Sequence, residues 1–133
     1  MFAAEDFIWI EVMDYMPAQI YVEPQVYWNT IDNAIRKASY NNKTEVRLLI
    51  GYWEHSIPVQ QNYVQSLNAL PNVTVKYFIV PQYKVNIPYT RVNHAKWMVT
   101  DKQLFIDTSN WTGDYFTNTA GVGTNTNNVA AQR

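Results

Sequence analysis

The chain has no cysteine among its 133 residues. That excludes a disulfide framework and a thiolate metal site, and leaves the redox compartment open. Only two histidines are present, His55 and His94, and their separation in sequence argues against a zinc site built by the protein alone. No metal and no cofactor are expected. The net charge is −1, which argues against a generic polyanion-binding surface. No apolar run is long enough to cross a membrane. Glu5 and Asp6 interrupt the first apolar residues, so nothing at the start reads as a targeting signal. There is no internal repeat.

What is present suits one domain, since 47% hydrophobic residues can build a real core. The segment 7–14 reads as a strand with Phe7, Trp9 and Val12 buried, and a start inside a strand suggests that upstream sequence is missing. After Met16-Pro17 comes an irregular loop to Glu23-Pro24. Trp28, Ile31, Ala34, Ile35 and Ala38 recur at helical spacing and predict a helix ending near Tyr40, closed by Asn41-Asn42. The run EVRLLIGYW at 45–53 predicts a central parallel strand covered on both faces. A second helix spans about 58–70, with Val59, Tyr63, Val64, Leu67 and Leu70 on one side. A further strand covers 73–80, and the loop PQYKVNIPY leads on toward Arg91.

The most informative stretch is RVNHAKWMVTDKQLFIDTSNWT, from Arg91 to Thr112. Residues 92–100 and 103–109 read as two strands joined at Asp101-Lys102, a β-hairpin. Side-chain alternation puts His94, Lys96 and Met98 on one face and Ala95, Trp97 and Val99 on the other, and the second face reads as core. The first sets an imidazole beside an ammonium, an arrangement suited to holding a phosphate while a nitrogen attacks it. A two-residue turn places His94 opposite Ser109, a three-residue turn opposite Asn110. In either register the Asn110 amide can reach the neighbourhood of His94.

The order H-x-K-x-x-x-x-D at His94, Lys96 and Asp101, continued by Thr108-Ser109-Asn110-Trp111, resembles the HKD motif of the phospholipase D superfamily. The resemblance extends through FIWIEVMDYMP, VRLLIGYWEHSIP and TSNWTGDYF, and covers roughly 7–121. It is closest to the C-terminal half of the lysosomal branch, the third and fourth mammalian paralogues and their poxvirus relatives. It implies a nucleophilic or acid role for His94, phosphate ligation by Lys96 and Asn110, and a structural anchor in Asp101. It also implies a phosphohistidine intermediate without metal, a 5′-to-3′ exonuclease on single-stranded nucleic acid, and a lysosomal or endoplasmic-reticulum lumen. A phospholipase or transphosphatidylase acting on membrane lipids is the alternative enzyme. Family members carry two such motifs and this chain has one, so the partner is a second half, either from a missing N-terminal region or from a homodimer. A further alternative is an inactive half that only binds its partner, because Asp107 stands where the family has Gly.

The expected architecture is therefore an α/β half-domain of phospholipase D type over 1–121, a mixed sheet with flanking helices, followed by a disordered tail over 122–133. Five basic residues between Lys76 and Lys102 against Asp101 alone would favour a phosphate-bearing substrate. Trp97, Trp111 and Thr108 are candidate substrate contacts, although aromatic residues in strands more often serve the core. His55 lacks a Lys two residues on and is assigned to a backbone-bonded position between strand and helix. Glu11 and Asp14 could orient an imidazole, or could be solvated. N-glycosylation sequons occur at Asn42, Asn72 and Asn110, the last of them claimed by the site.

Overall fold

A computed structural model describes every residue except Phe2 and Asn42, so the expected sequon at Asn42 falls outside the described residues. The chain runs β1 (Phe7–Val12), β2 (Tyr15–Met16), β3 (Ala18–Gln19), β4 (Val26–Tyr27), α1 (Thr30–Asn41), β5 (Glu45–Gly51), α2 (Gln60–Asn68) and β6 (Val73–Phe78). It continues through β7 (Lys96–Thr100), β8 (Leu104–Asp107), β9 (Trp111–Thr112), α3 (Asp114–Thr117) and β10 (Gly123–Thr126), and ends in a 3-10 turn at Val129–Gln132. Six strands form one sheet in the order β10-β8-β7-β1-β5-β6. The pairs β1–β5 and β5–β6 are parallel, whereas β1–β7, β7–β8 and β8–β10 are antiparallel. This is the mixed α/β sheet that the alternation of elements implies.

The core lies on one face of that sheet. Ile8, Ile10 and Val12 of β1 and Val46, Leu48 and Ile50 of β5 are buried against Ile35 and Ala38 of α1 and Val64 and Leu67 of α2. The opposite face is more open, with Trp9 and Arg47 exposed and the Arg47 guanidinium 5.2 Å from the Trp9 ring centroid. Strand β5 is thus interior and parallel, though not central, since only β6 lies beyond it, and helices cover only one of its faces. Buried Asp32 fastens the core to the short strand β2 beyond β1. It accepts hydrogen bonds from Tyr15 Oη (2.6 Å) and Arg36 Nε (2.6 Å), and Arg36 reaches on to Ser66 of α2 at 2.8 Å.

Trp9, expected to be buried, is exposed on that open face, and two further expectations change. The face of β7 carrying Trp97 and Val99 is not the core face: the register opposes Lys96 to Val12, Met98 to Ile10 and Thr100 to Ile8, so the helix-covered side takes Lys96, Met98 and Thr100. The neighbouring strand decides the matter, because a residue shares a face with its cross-strand partner whatever its own polarity. The segment beyond Gly121 is not without order either, since Gly123–Thr126 pairs along β8 and completes the edge of the sheet. An exposed strand rich in Thr and Asn satisfies the backbone groups of β8 without burying an apolar face, and so carries no alternating pattern to read.

Candidate active site

The hairpin turn has two residues. Thr100 N donates to Gln103 O at 2.8 Å, and the register sets Trp97 against Ile106 and Val99 against Leu104. Both strands are shorter than expected, β7 starting at Lys96 and β8 ending at Asp107, so His94 and Asn110 lie on the segments that leave the sheet at the same end. Leaving the ladder exposes the His94 ring while Lys96 stays in it, only 5% exposed.

Pairing of β1 with β7 continues past Val12, because Met13 N donates to Ala95 O at 2.9 Å. One residue further, Asp14 O accepts from Trp111 N at 2.8 Å, and Tyr15 then pairs with Trp111 in the small β2–β9 sheet. Asp14 therefore sits where the chain passes from β7 to β9, between the segments bearing His94 and Asn110. Its Oδ2 accepts from Asn110 Nδ2 at 3.2 Å. Burial pushes its carboxyl above the ordinary value, and the Lys96 and His94 charges pull it back only in part.

Lys96 Nζ donates to His94 O at 3.1 Å and lies 4.0 Å from Met13 Sδ. Burial lowers its pKa, opposed by the charges of Asp14 and Asp107. Asn110, 6% exposed, also has Tyr115 Oη 3.4 Å from its Nδ2, while its Oδ1 has no partner among the described residues. Tyr115 in turn meets Tyr21 edge-on, with ring centroids 6.2 Å apart. The Tyr21 pKa is pushed up to about 12, first by burial and then by its contact with Tyr115. Asp114, fully buried, holds that loop by accepting from Ile20 N at 2.6 Å and Tyr21 N at 3.3 Å. The Asn110 amide thus meets the Asp14 carboxylate, the charges of Lys96 and His94 act on the same group, and Lys96 Nζ is bonded to the His94 backbone; an imidazole, an ammonium and a primary amide in one neighbourhood are a set able to hold a tetrahedral phosphate beside a nitrogen nucleophile.

Asp101 lies at the other end of the hairpin. Its carboxylate accepts from the backbone N–H groups of Glu5 (3.1 and 3.3 Å) and Asp6 (3.3 Å), and Lys102 Nζ is 3.2 Å away. It ties the segment leading into β1 to the turn and touches none of the converging groups.

Other sequence candidates do not converge. Trp111 is 3% exposed in the core, closed to a base, and Trp97 lies on the face of the sheet opposite Lys96. Thr108 is exposed, but its Oγ1 accepts from Val122 N at 2.9 Å. The basic run disperses as well. Arg91 braces its own loop through Pro81 O and Val85 O, Lys102 pairs with Glu5 and Asp101, and Lys76 lies on the open face of the sheet. Only Lys96 of that run is in the site, because loop and strand geometry scatter charges that are close in sequence. His55 binds no backbone group in the expected way: its Nε2 is 3.1 Å from Glu54 Oε1, and its ring stacks on Tyr89 with centroids 4.8 Å apart. Glu11 accepts from Asn93 Nδ2 at 2.7 Å, bracing the residue before His94. Asn72 is exposed in the turn after α2, whereas Asn110 is buried.

A family profile described as PLD3/4, PLD-like domain matches residues 2–87, a span that ends before His94 and so is independent of the HKD pattern. Phospholipase D Y of Dictyostelium discoideum is 48% identical over 124 residues, covering 92% of this chain and 28% of the relative. The 5'-3' exonuclease PLD3 of Xenopus laevis is 48% identical over 126 residues, covering 89% and 26%. The chain thus spans about a quarter of the length of these curated relatives. Among solved structures, NucT from Helicobacter pylori superposes with a TM-score of 0.74 over 97% of this chain and 73% of that one; at 19% identity the likeness is one of fold.

Proposed function

This chain belongs to the PLD3/4 PLD-like domain family, and from that premise we propose that it is one half of a phosphodiesterase acting on single-stranded nucleic acid from the 5′ end through a phosphohistidine. The observation that carries the reading is the neighbourhood of His94, Lys96 and Asn110 around Asp14, at the end of the sheet where β7 begins and β8 ends: Asn110 bonds the Asp14 carboxylate, Lys96 bonds the His94 backbone, and the charges of both His94 and Lys96 act on Asp14. In the proposed step a ring nitrogen of His94 forms a bond to phosphorus as the bond to the leaving oxygen breaks. Lys96 and Asn110 hold the non-bridging oxygens, where negative charge builds up. An acid from the second half protonates the leaving oxygen. Water then attacks the phosphohistidine and releases the phosphomonoester, with the same acid now serving as base.

Relatives named 5'-3' exonuclease support the nucleic-acid substrate. A relative named phospholipase D supports a second reading, turnover of phospholipid head groups. Among the described residues no helix is long and apolar enough to cross a membrane. The deciding experiment supplies the chain with an N-terminal half from a relative and assays 5′-hydroxyl single-stranded DNA and phosphatidylcholine vesicles, both with chelator. Shortening of DNA in chelator is the expected result. Lipid turnover without DNA shortening would overturn the nuclease reading, and loss of all activity in chelator would overturn the metal-free step.

A further inference from the structure

Strands β1, β5 and β6 run parallel and β7 runs antiparallel to them, so the loops that follow Val12, Gly51 and Phe78 gather at the end of the sheet where His94 precedes β7. Ligands of open α/β sheets are met at that end. The loop 79–93, which delivers the chain from β6 to His94, is unusual in what it exposes. Ile79, Tyr83, Val85, Ile87 and Tyr89 are all large and exposed, the two tyrosines most of all at 75% and 73%. Single apolar residues on a surface are ordinary, but five in so short a stretch mark a contact surface. The same loop carries Lys84 and Arg91 and no Asp or Glu. Two of its rings are held in place. Tyr89 stacks on His55 with centroids 4.8 Å apart and planes 15° from parallel, and His55 meets Trp53 edge-on at 4.6 Å. The Arg91 guanidinium lies 5.6 Å from the Tyr83 ring centroid while it donates to Pro81 O at 3.1 Å and Val85 O at 2.7 Å. His55 also lines a cavity of about 270 Å³ together with Asp14, the partner of Asn110, so the row of rings begins beside the candidate phosphate ligands.

We propose that Tyr89 and Tyr83 form a stacking platform for the bases of a single strand whose reacting phosphate is held by Lys96 and Asn110. The inference rests on the nucleic-acid reading above and adds to it a surface and a mode of binding. Tyr89 is covered by His55 on one face yet stays largely exposed, so its other face is left to a base, which would extend the stack by one ring. Tyr83 likewise offers the face turned away from Arg91. An aromatic face suits every base, so such a platform holds a strand without reading its sequence. Exposed Lys84 and the Arg91 guanidinium supply positive charge for the phosphates between the bases. The aliphatic residues of the loop alone would equally suit a protein partner. The near-parallel His55 and Tyr89 rings, the guanidinium against Tyr83 and the lack of any carboxylate in 79–93 favour a polyanion that carries flat rings. Glu54, the acid next to His55 in sequence, is paired with His55 Nε2 at 3.1 Å.

The test uses the full 133-residue chain and a 5′-hydroxyl oligodeoxythymidylate of about ten nucleotides, a length within the footprint of single-strand platforms, with binding read by fluorescence anisotropy. Tyr83→Leu and Tyr89→Leu keep an apolar side chain and remove the ring. Each should weaken binding roughly fivefold or more, the lower end of base stacking on an aromatic side chain. Tyr83→Phe and Tyr89→Phe keep the ring and should bind as the unaltered chain does. Unchanged affinity in a chain carrying both Leu substitutions overturns the platform and leaves the nucleic-acid reading intact, whereas no binding by the unaltered chain overturns both. Equal losses in the Leu and Phe variants would place the contact in the hydroxyl groups and overturn stacking. Failure of the doubly substituted Leu chain to capture an N-terminal half from a relative, with oligonucleotide affinity kept, would assign the loop to a protein interface and overturn the proposal.

Discussion

Asp14 and His94 are the next residues beyond the Met13–Ala95 contact, where the Met13 N–H on Ala95 O carries one residue further the antiparallel register that sets Ile8 against Thr100 and Val12 against Lys96. Backbone pairing alone thus brings a carboxylate to the candidate nucleophile, and the Asn110 amide closes the group from the other side. Burial holds the Asp14 carboxyl above its ordinary value, so it takes up a proton at higher pH than an ordinary carboxylate.

The first prediction rests on that carboxylate. Ionised, Asp14 occupies Asn110 Nδ2 and repels an incoming phosphate; protonated, it loses the repelling charge and accepts from Asn110 more weakly. Affinity for a 5′-hydroxyl oligonucleotide should therefore rise as pH falls through the raised Asp14 pKa. The other ionisable groups facing the site are His94, Lys96 and Asp107. The diagnostic is therefore Asp14→Asn measured against the unaltered chain. The variant should bind more tightly at neutral pH, and the advantage should shrink on acidification. Stability has a matching sign. A carboxyl with a raised folded-state pKa contributes stability that is full below the unfolded value and is lost as pH rises through the folded one, so Asp14→Asn should melt higher than the parent at neutral pH and converge with it in acid. A variant that binds no better at neutral pH would sink the repulsion argument.

Asp107 gives the second prediction. The two-residue turn means that the register, extended by one pair, sets Asp107 against Lys96, and the Asp107 charge is felt at the lysine. Asp107 is not among the residues with positive φ, so nothing in its backbone demands a Gly there. Replacing it with Gly or Asn should raise phosphate affinity by roughly two- to fivefold, the range of a partly solvated charge pair. Equal gains from both variants would identify charge as the cause, whereas no gain from either would mean that Asp107 leaves Lys96 free to bind phosphate.

These relationships mark how far the sequence could be read. Helix and strand spacing placed α1, α2, β1, β5 and β6, because long apolar periods survive any choice of sheet order. The His94, Lys96, Asp101 and Asn110 pattern located the hairpin and its turn. Asp14 is open in sequence between orienting an imidazole and being solvated, because the choice depends on β1 lying beside β7, which no local pattern encodes. The face of β7 was misjudged for the same reason, since Trp97 and Val99 are more apolar than Lys96 and Met98 and only the neighbouring Ile10 and Val12 reveal the covered side.

The third prediction concerns Asp101, which acts on the fold and not on phosphate. Burial pushes its carboxyl up, but the Asp6 and Glu5 amides and the Lys102 ammonium outweigh burial and hold it below its ordinary value. A depressed carboxyl contributes stability that is present above the unfolded pKa and lost as pH falls through the folded one. Asp101→Ala should lower stability at neutral pH by about 1.5–3 kcal/mol, the scale of hydrogen bonds to a charged group, and the difference should narrow in acid. Urea titrations at two pH values would measure it. Oligonucleotide affinity of the folded variant should stay unchanged, and a loss there would place Asp101 in the phosphate site after all.

The last prediction is that the chain alone has half of a working centre. In-line displacement at phosphorus needs a nucleophile on one side and an acid for the leaving oxygen on the other, and one imidazole cannot hold both positions at once. His55 does not supply the second. Its ring is committed to Tyr89 and its Nε2 to Glu54, and no lysine stands two residues beyond it. The remaining sources are a second copy of the chain, with two His94 residues facing across a two-fold axis, or a separate half bearing its own His and Lys. The curated relatives are nearly four times as long as the stretch they share with this chain, which leaves room for such a half. The purified chain should therefore be largely monomeric and without turnover. Activity should return when an N-terminal half from a relative is added, and His94→Ala should abolish the recovery while leaving that half able to bind. Turnover first-order in monomer at high dilution, with no dimer by sedimentation, would mean that one imidazole serves both roles in sequence and that the two-sided requirement is wrong for this fold.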